Sequence, residues 1–211
     1  MTLFKNLEKY KKRVALVTEE NSTFSYQDIL DYEKYLTSKI KKKSLCFLLG
    51  SNNVECIILY VFLIRNNVPF VLINSDTNTN YILQTIKKFR PKYFFCPKEK
   101  KLNLKFKKVF YTFEHYDIFE TGLKNVRFNS LNQLLLTTSG TTSDPKFVRL
   151  SKKNLKTNCD AIINYLSIKK SNKVLTMLPF SYSYGLSVIN THLESGAQIF
   201  LNNNSVFSKD F

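Results

Sequence analysis

The chain has 211 residues, 44% of them hydrophobic, and carries 32 Lys or Arg against 16 Asp or Glu, a formal net charge of +16; that is room for one well-buried domain and too little for two. The charge invites a nucleic-acid partner, but Arg occurs only at positions 13, 65, 90, 127 and 149 and never interleaves with aromatics as a base-stacking surface requires. The longest apolar run, residues 56–64, is far short of the roughly 20 needed to span a bilayer, and the opening Met-Thr-Leu-Phe-Lys lacks a signal-type apolar core, so neither nucleic acid nor membrane is an expected partner.

Short apolar runs alternate with amphipathic ones from end to end, which predicts an α/β fold of repeated βα units with largely parallel sheets. Ser25 with Asp28 marks a capped helix start, and the helix runs to about residue 40. Residues 45–49 read as a buried strand closing on Gly50, 53–66 as a strongly apolar helix and 69–73 as the next strand. A helix over 77–89 follows, then a strand over 92–96 after Pro91 and another over 107–111; between 113 and 132 the pattern weakens. Leu134, Leu135 and Leu136 form a buried strand, and a helix over 151–166, a strand over 174–178, a helix over 184–194 and a strand over 198–201 complete the chain.

The excess of Lys, Asn, Ile, Phe and Tyr beside 5 Gly, 5 Pro and no Trp is the bias of an AT-rich coding sequence, which raises net charge without a selected partner. Where glycine is this scarce, the survivors are demanded by backbone geometry: Gly50 and Gly140 end strands, Gly185 interrupts an aromatic run and Gly196 sits just past a helix. Cys46, Cys56, Cys96 and Cys159 are dispersed without a CxxC and read as small buried hydrophobes of a reduced cytoplasmic protein. His115 and His192 have no carboxylate or cysteine at useful spacing, so His192 is expected on a helix face, His115 in a loop, and no protein metal ligand is expected.

The segment 133–146 reads Gln-Leu-Leu-Leu-Thr-Thr-Ser-Gly-Thr-Thr-Ser-Asp-Pro-Lys. An apolar strand empties directly into the hydroxyls of Thr137, Thr138, Ser139, Thr141 and Thr142 around Gly140, whose missing side chain lets backbone N–H groups approach an anion. Lys146 adds a mobile point charge. An ordinary Ser/Thr-rich turn has the same composition, and the order of residues separates the two. A Walker A loop requires glycine before the lysine and Ser or Thr after it; here Pro145 precedes Lys146 and Phe147 follows.

The run from Thr138 to Val148 closely resembles the signature of the AMP-forming acyl-adenylate synthetases, Thr-Ser-Gly-Thr-Thr-Gly-x-Pro-Lys-Gly-Val, with Ser143 and Phe147 in place of two glycines. The rest of the chain is similar to the first part of that family's large N-terminal domain. Thr23 to Ile29 resembles its Thr-Tyr-x-Glu-Leu helix entry, Gly50-Ser51-Asn52 its strand-end turn, and Asn66 to Val71 its Ala-Gly-x-x-x-Pro passage without the glycine. Pro179 to Leu186 resembles the Pro-x-x-His-x-x-Gly segment that lines the acid-binding pocket, with Tyr182 at the histidine position, and Gly196-Ala197 resembles the pair before the next strand. A tyrosine beside a substrate carboxylate donates a hydrogen bond but is no base near neutral pH.

The resemblance implies a partial N-terminal domain over 1–211 without the C-terminal domain, and ATP-dependent activation of a carboxylic acid to an acyl-adenylate. The acyl group then passes to the thiol of coenzyme A or a phosphopantetheine carrier protein, or to an amine. It implies ATP with Mg²⁺ as cofactors, Thr138, Ser139, Gly140, Thr141, Thr142 and Lys146 on the β- and γ-phosphates, and Lys146 and Tyr182 as catalytic residues. The family's Tyr-Gly-x-Thr-Glu motif, ribose-binding aspartate and C-terminal lysine have no counterpart, so the isolated chain is expected to be truncated and inactive alone. Two alternatives remain open: a non-catalytic α/β module that binds nucleotide or protein, and a nucleic-acid binder with steeply salt-dependent affinity.

Overall fold

Two sheets share one buried helix layer in the computed structural model, which describes residues 2–41, 44–102, 106–108, 114–124, 132–137 and 146–202. A short 3-10 turn, Leu7–Tyr10, leads into β1 (Val14–Val17), β2 (Thr23–Ser25), α1 (Tyr26–Thr37), β3 (Cys46–Gly50), α2 (Val54–Arg65), β4 (Phe70–Asn74), α3 (Thr79–Phe89) and β5 (Tyr93–Pro97). Then come β6 (Lys107–Lys108), β7 (Tyr116–Glu120), β8 (Asn132–Thr137), β9 (Phe147–Ser151), α4 (Lys152–Leu166), β10 (Lys173–Leu175), α5 (Ser183–Glu194) and β11 (Gln198–Phe200). Among the described residues the larger sheet has seven strands in the order β6-β7-β5-β3-β4-β8-β9 and the smaller has four, β10-β11-β1-β2.

The core of each sheet is parallel, as the alternating pattern predicts: β5, β3, β4 and β8 run together in one, and β10, β11 and β1 in the other. A parallel sheet covered on both faces needs apolar residues at every position. In β3 and β4, Cys46, Leu48, Phe70 and Leu72 join the cluster that contains α2. Phe47, Leu49, Val71 and Ile73 meet Ile82 and Ile86 of α3 on the other face.

Helix α2 is buried continuously from Val54 to Ile64, the mark of an interior helix with apolar residues on all sides. Tyr60 shows what it joins. Its ring packs edge-on to Phe70 of β4 at 5.8 Å and to Phe180, ahead of α5, at 5.6 Å, and its hydroxyl donates to Asn190 Oδ1 of α5 at 2.7 Å. The expected cap of the first helix is present in full: Ser25 accepts from the Asp28 N–H while the Asp28 carboxylate accepts from the Ser25 N–H. Gly196 follows α5 at φ +74°, and a Cβ there would lie 2.4 Å from the Tyr10 ring, so only glycine serves this turn.

Four strands escape the sequence pattern. β1 is too short to show a period, and it owes its place to long-range pairing of Leu16 with Ile199 and Val17 with Phe200, while β2 is held antiparallel beside it. β7 lies in the weakly patterned stretch and pairs antiparallel with β5; β9, half exposed, pairs antiparallel with β8. The first helix stops at Thr37 rather than near 40, and β10 stops at Leu175 rather than 178 because the chain turns through Pro179 into α5. Of the strand expected over 107–111, residues 109–111 lie outside those described. The four cysteines are free and buried.

Candidate functional site

The strand ahead of the hydroxyl-rich segment is β8, buried because it lies between β4 and β9. Gln133, 1% exposed, anchors its start by donating from Nε2 to Leu63 O at 3.2 Å and Val68 O at 2.6 Å. At the other end Thr137 pairs with Phe147, so the connection between them leaves from the C-terminal edge of the parallel strands, where α/β sheets place their ligands. Thr138, Ser139, Gly140, Thr141 and Thr142, the expected phosphate ligands, lie outside the described residues. Lys146 is exposed immediately ahead of β9. Phe147, which replaces a glycine of the motif, packs edge-on against Phe89 of α3 at 4.8 Å; the extra bulk pins β9 to the neighbouring helix.

Tyr182 is the N-cap residue of α5, with extended backbone, no side-chain cap bond and 46% exposure. Its N–H donates to Pro179 O at 3.0 Å and its carbonyl accepts from Leu186 N at 2.8 Å, closing a tight turn into the helix. Gly185 permits that turn: a Cβ there would sit 2.5 Å from Pro179 O and 2.8 Å from Leu178 O, both backbone atoms. Lys146 and Tyr182 therefore stand on different elements, one at the edge of the larger sheet and one at the start of α5, whose Ser187 hydroxyl donates to Asn158 of α4 at 3.4 Å.

The turn around Pro179 is gripped by Asn52, a residue whose role the sequence does not announce. Asn52 Oδ1 accepts from Phe180 N at 3.0 Å, while Nδ2 donates to Leu178 O at 3.2 Å and Asn202 O at 3.4 Å. The signal that was available is a doubled Asn at a strand-to-helix junction. Asn53 already caps α2 by accepting from Cys56 N, leaving Asn52 for another task. Next to it, Tyr116 donates to Leu49 O at 2.6 Å and so receives the Ser51 hydroxyl at 2.7 Å, fixing the end of β3 to β7.

A cleft of about 1300 Å³ opens beside these strand ends, lined by residues of the β1–β2 turn, Gly50 to Glu55, Asn74 to Asp76, and Met177 to Pro179. Among the described residues its lining contains Glu19, Glu20, Glu55, Asp76, Glu99 and Glu114, but no Lys or Arg and not Tyr182. The carboxylates among its described lining residues give this cleft a negative sign. Within it, Glu55 accepts from His115 N at 2.8 Å, and burial pushes its carboxyl above the usual range. His192 lies on α5 with Nδ1 2.9 Å from Val188 O, and burial lowers its pKa, favouring the neutral ring. His115 lies just before β7 and is exposed.

A parallel α/β core whose connections leave the C-terminal ends of its strands is the architecture of a class of proteins that hold their ligands there. The AMP-binding enzyme family matches residues 3–210, and the chain belongs to that family. Among solved structures, apo MatB from Rhodopseudomonas palustris aligns with a TM-score of 0.75 and 17% identity, covering 100% of this chain and 46% of that one. VinN aligns at 0.74 and 16%, covering 95% and 59%. The o-succinylbenzoate CoA synthetase MenE from Bacillus subtilis, in complex with the acyl-adenylate intermediate OSB-AMP, aligns at 0.70 and 18%, covering 99% and 57%. No curated protein matches. The chain thus spans about half the length of the solved structures it matches, and its fold is that of the N-terminal domain of acyl-adenylate-forming enzymes. Among the described residues no helix is long and apolar enough to cross a membrane.

Proposed function

We propose that residues 1–211 form the leading part of the large domain of an enzyme that activates a carboxylic acid with ATP. In the reaction a carboxylate oxygen bonds to the α-phosphorus while the bond to the pyrophosphate oxygen breaks, giving acyl-AMP and pyrophosphate. The incoming group meets a polyanion, so catalysis depends on neutralising phosphate charge. Thr138, Ser139, Gly140, Thr141 and Thr142 supply hydroxyls and close backbone approach to the β- and γ-phosphates, and Lys146 supplies the cation, with Mg²⁺ arriving on the ATP as its counter-ion. Tyr182, exposed at the cap of α5, donates to the acid's carboxylate and with Tyr184 forms an aromatic wall.

The observation that carries this reading is the motif in its place: Thr138 to Val148 in family order, between two strands paired through Thr137 and Phe147. The family membership supports nucleotide chemistry, and ATP-bound MatB is among the matched structures. The acyl acceptor is proposed to be a thiol, of coenzyme A or a carrier protein, with an amine as the alternative.

The test is ATP–pyrophosphate exchange by the purified protein with a panel of carboxylic acids that includes 3-methylaspartate and o-succinylbenzoate, named with VinN and MenE respectively. Lys146→Ala should weaken ATP binding by about ten- to a hundredfold, the loss of one charge-assisted contact of roughly 1.5 to 3 kcal/mol, as measured by titration calorimetry. Equal affinity in the variant would sink the assignment of Lys146. Saturable ATP binding by the wild type without exchange for any acid would favour the non-catalytic binding module.

A further inference from the structure

We infer that Asn52 is a positioning residue, its carboxamide fixing the turn over 178–184 and with it the placement of Tyr182; the inference rests on the reading of Tyr182 as part of the acid pocket. Asn52 lies two residues beyond β3 and is 8% exposed. Every hydrogen bond its side chain makes goes to distant backbone: Phe180 N, Leu178 O and Asn202 O. The capping task at this junction belongs to Asn53. By accepting on one side of Pro179 and donating on the other, the carboxamide copies the peptide group of a neighbouring strand. It thereby orders a proline turn that no strand pairs.

Movement of that turn cannot be absorbed before it reaches α5. Pro179 O holds Tyr182 N at 3.0 Å, the first turn of the helix rests on Pro179 with no room for a Cβ at Gly185, and the Phe180 ring is locked against Tyr60. A change at Asn52 therefore reorients the cap residue Tyr182, while Lys146 stands immediately ahead of β9, which lies with β8 on the other side of β4 from β3. The consequence is selective: recognition of the acid should suffer and recognition of ATP should not.

Two variants separate positioning from bulk. Asn52→Leu removes all three bonds. Asn52→Asp keeps the shape and the acceptor for Phe180 N, but when ionised it sets a carboxylate oxygen against the Leu178 and Asn202 carbonyls. When protonated, its single O–H restores one of the two donations, to Leu178 O or to Asn202 O. The charged groups that line the cleft together with Asn52 are, among the described residues, Glu55 on α2, Glu19 and Glu20 between β1 and β2, Asp76 after β4, Glu99 after β5, and Glu114 with His115 ahead of β7. Among the described residues no Lys or Arg lines it, the lysine acting on Glu55 being Lys98, so the carboxylates and the burial both favour the protonated acid. The aspartate variant should move most of the way toward wild type at low pH and behave like Asn52→Leu at high pH.

The experiment combines amide hydrogen exchange by mass spectrometry over residues 178–186 with pyrophosphate-exchange kinetics on the acid panel, each variant compared with wild type at the same pH. Loss of two or three buried hydrogen bonds is enough for exchange about tenfold faster in Asn52→Leu. Asn52→Asp should match it near pH 8 and move most of the way back toward the wild-type rate near pH 5.5. In the same variant at pH 8 the KM for the acid should rise about tenfold while the KM for ATP stays within about twofold, and low pH should rescue it. Wild-type exchange rates over 178–186 in both variants would overturn the inference, as would equal rises in both KM values. If Asn52→Leu does not fold, the pH response of Asn52→Asp decides alone. If the wild type exchanges pyrophosphate with no acid, the adenylation reading fails, and the hydrogen-exchange result still accepts or rejects the clamp.

Discussion

Glu55 is the only carboxylate on the largely apolar helix α2, 8% exposed and accepting a hydrogen bond from His115 N at 2.8 Å. Burial disfavours its charge more than that bond repays, so its pKa is raised. A carboxyl whose folded pKa exceeds the unfolded value binds more protons when folded. Its contribution to stability is therefore full below the unfolded value of 4.5 and is lost as pH rises through the folded value. Glu55→Gln keeps a carbonyl for the His115 N–H and removes the ionisation. Urea melts from about pH 4 to about pH 8 should show wild type losing stability relative to Glu55→Gln as pH rises; a constant gap would mean the carboxyl is not strained by burial. At this scale the sequence was legible where structure depends on local order, as in the Ser25–Asp28 capping box. It was silent where the partners are remote: the backbone groups that Asn52 holds lie 126 and 128 residues away. Phe147 could be seen as a departure from the motif, but its reason, the Phe89 ring 4.8 Å away, is tertiary.

Elements with strong local signals were readable to within a few residues. α2 was found from its length and apolar density and α1 from the Ser25–Asp28 cap; β3, β4 and β5 were found from uninterrupted apolar runs that only a sheet covered on both faces requires. β1, β7 and β9 were not, because short or half-exposed strands are defined by the partner they pair with. The same distinction predicts where substitutions hurt. Leu59 of α2 is fully buried between the sheets, so Leu59→Ala should cost about 2 to 5 kcal/mol. Ser151→Ala should cost only about 1 kcal/mol, although Ser151 completes a capping box at α4 with Asn154, since α4 is largely solvent-facing. Denaturant melts of the two variants check the ranking; a smaller loss at Leu59 would show that α2 is not the interior layer joining the two sheets.

Charge is distributed unevenly over the whole molecule. The net value is +16, yet among the described residues six carboxylates and no Lys or Arg line the cleft at the strand ends. Some basic residues are held locally, as where Arg65 bridges Glu8 and Glu33 at 2.6 and 2.7 Å and Lys156 meets Asp160 and Glu194. The remainder gives the surface a general attraction for polyanions, which salt screens over a Debye length of about 10 Å at 0.1 M. This separates a built nucleotide site from diffuse attraction. ATP held by the hydroxyls of the β8–β9 connection and Lys146 releases few counter-ions, so its affinity should fall only modestly between about 50 and 200 mM NaCl. A duplex oligonucleotide held by scattered lysines should lose affinity by orders of magnitude across that range. Titrations of both ligands at several salt concentrations make the comparison. A steep slope for ATP, parallel to that of the oligonucleotide, would mean that the molecule attracts phosphate by net charge and that the motif between β8 and β9 contributes no site of its own.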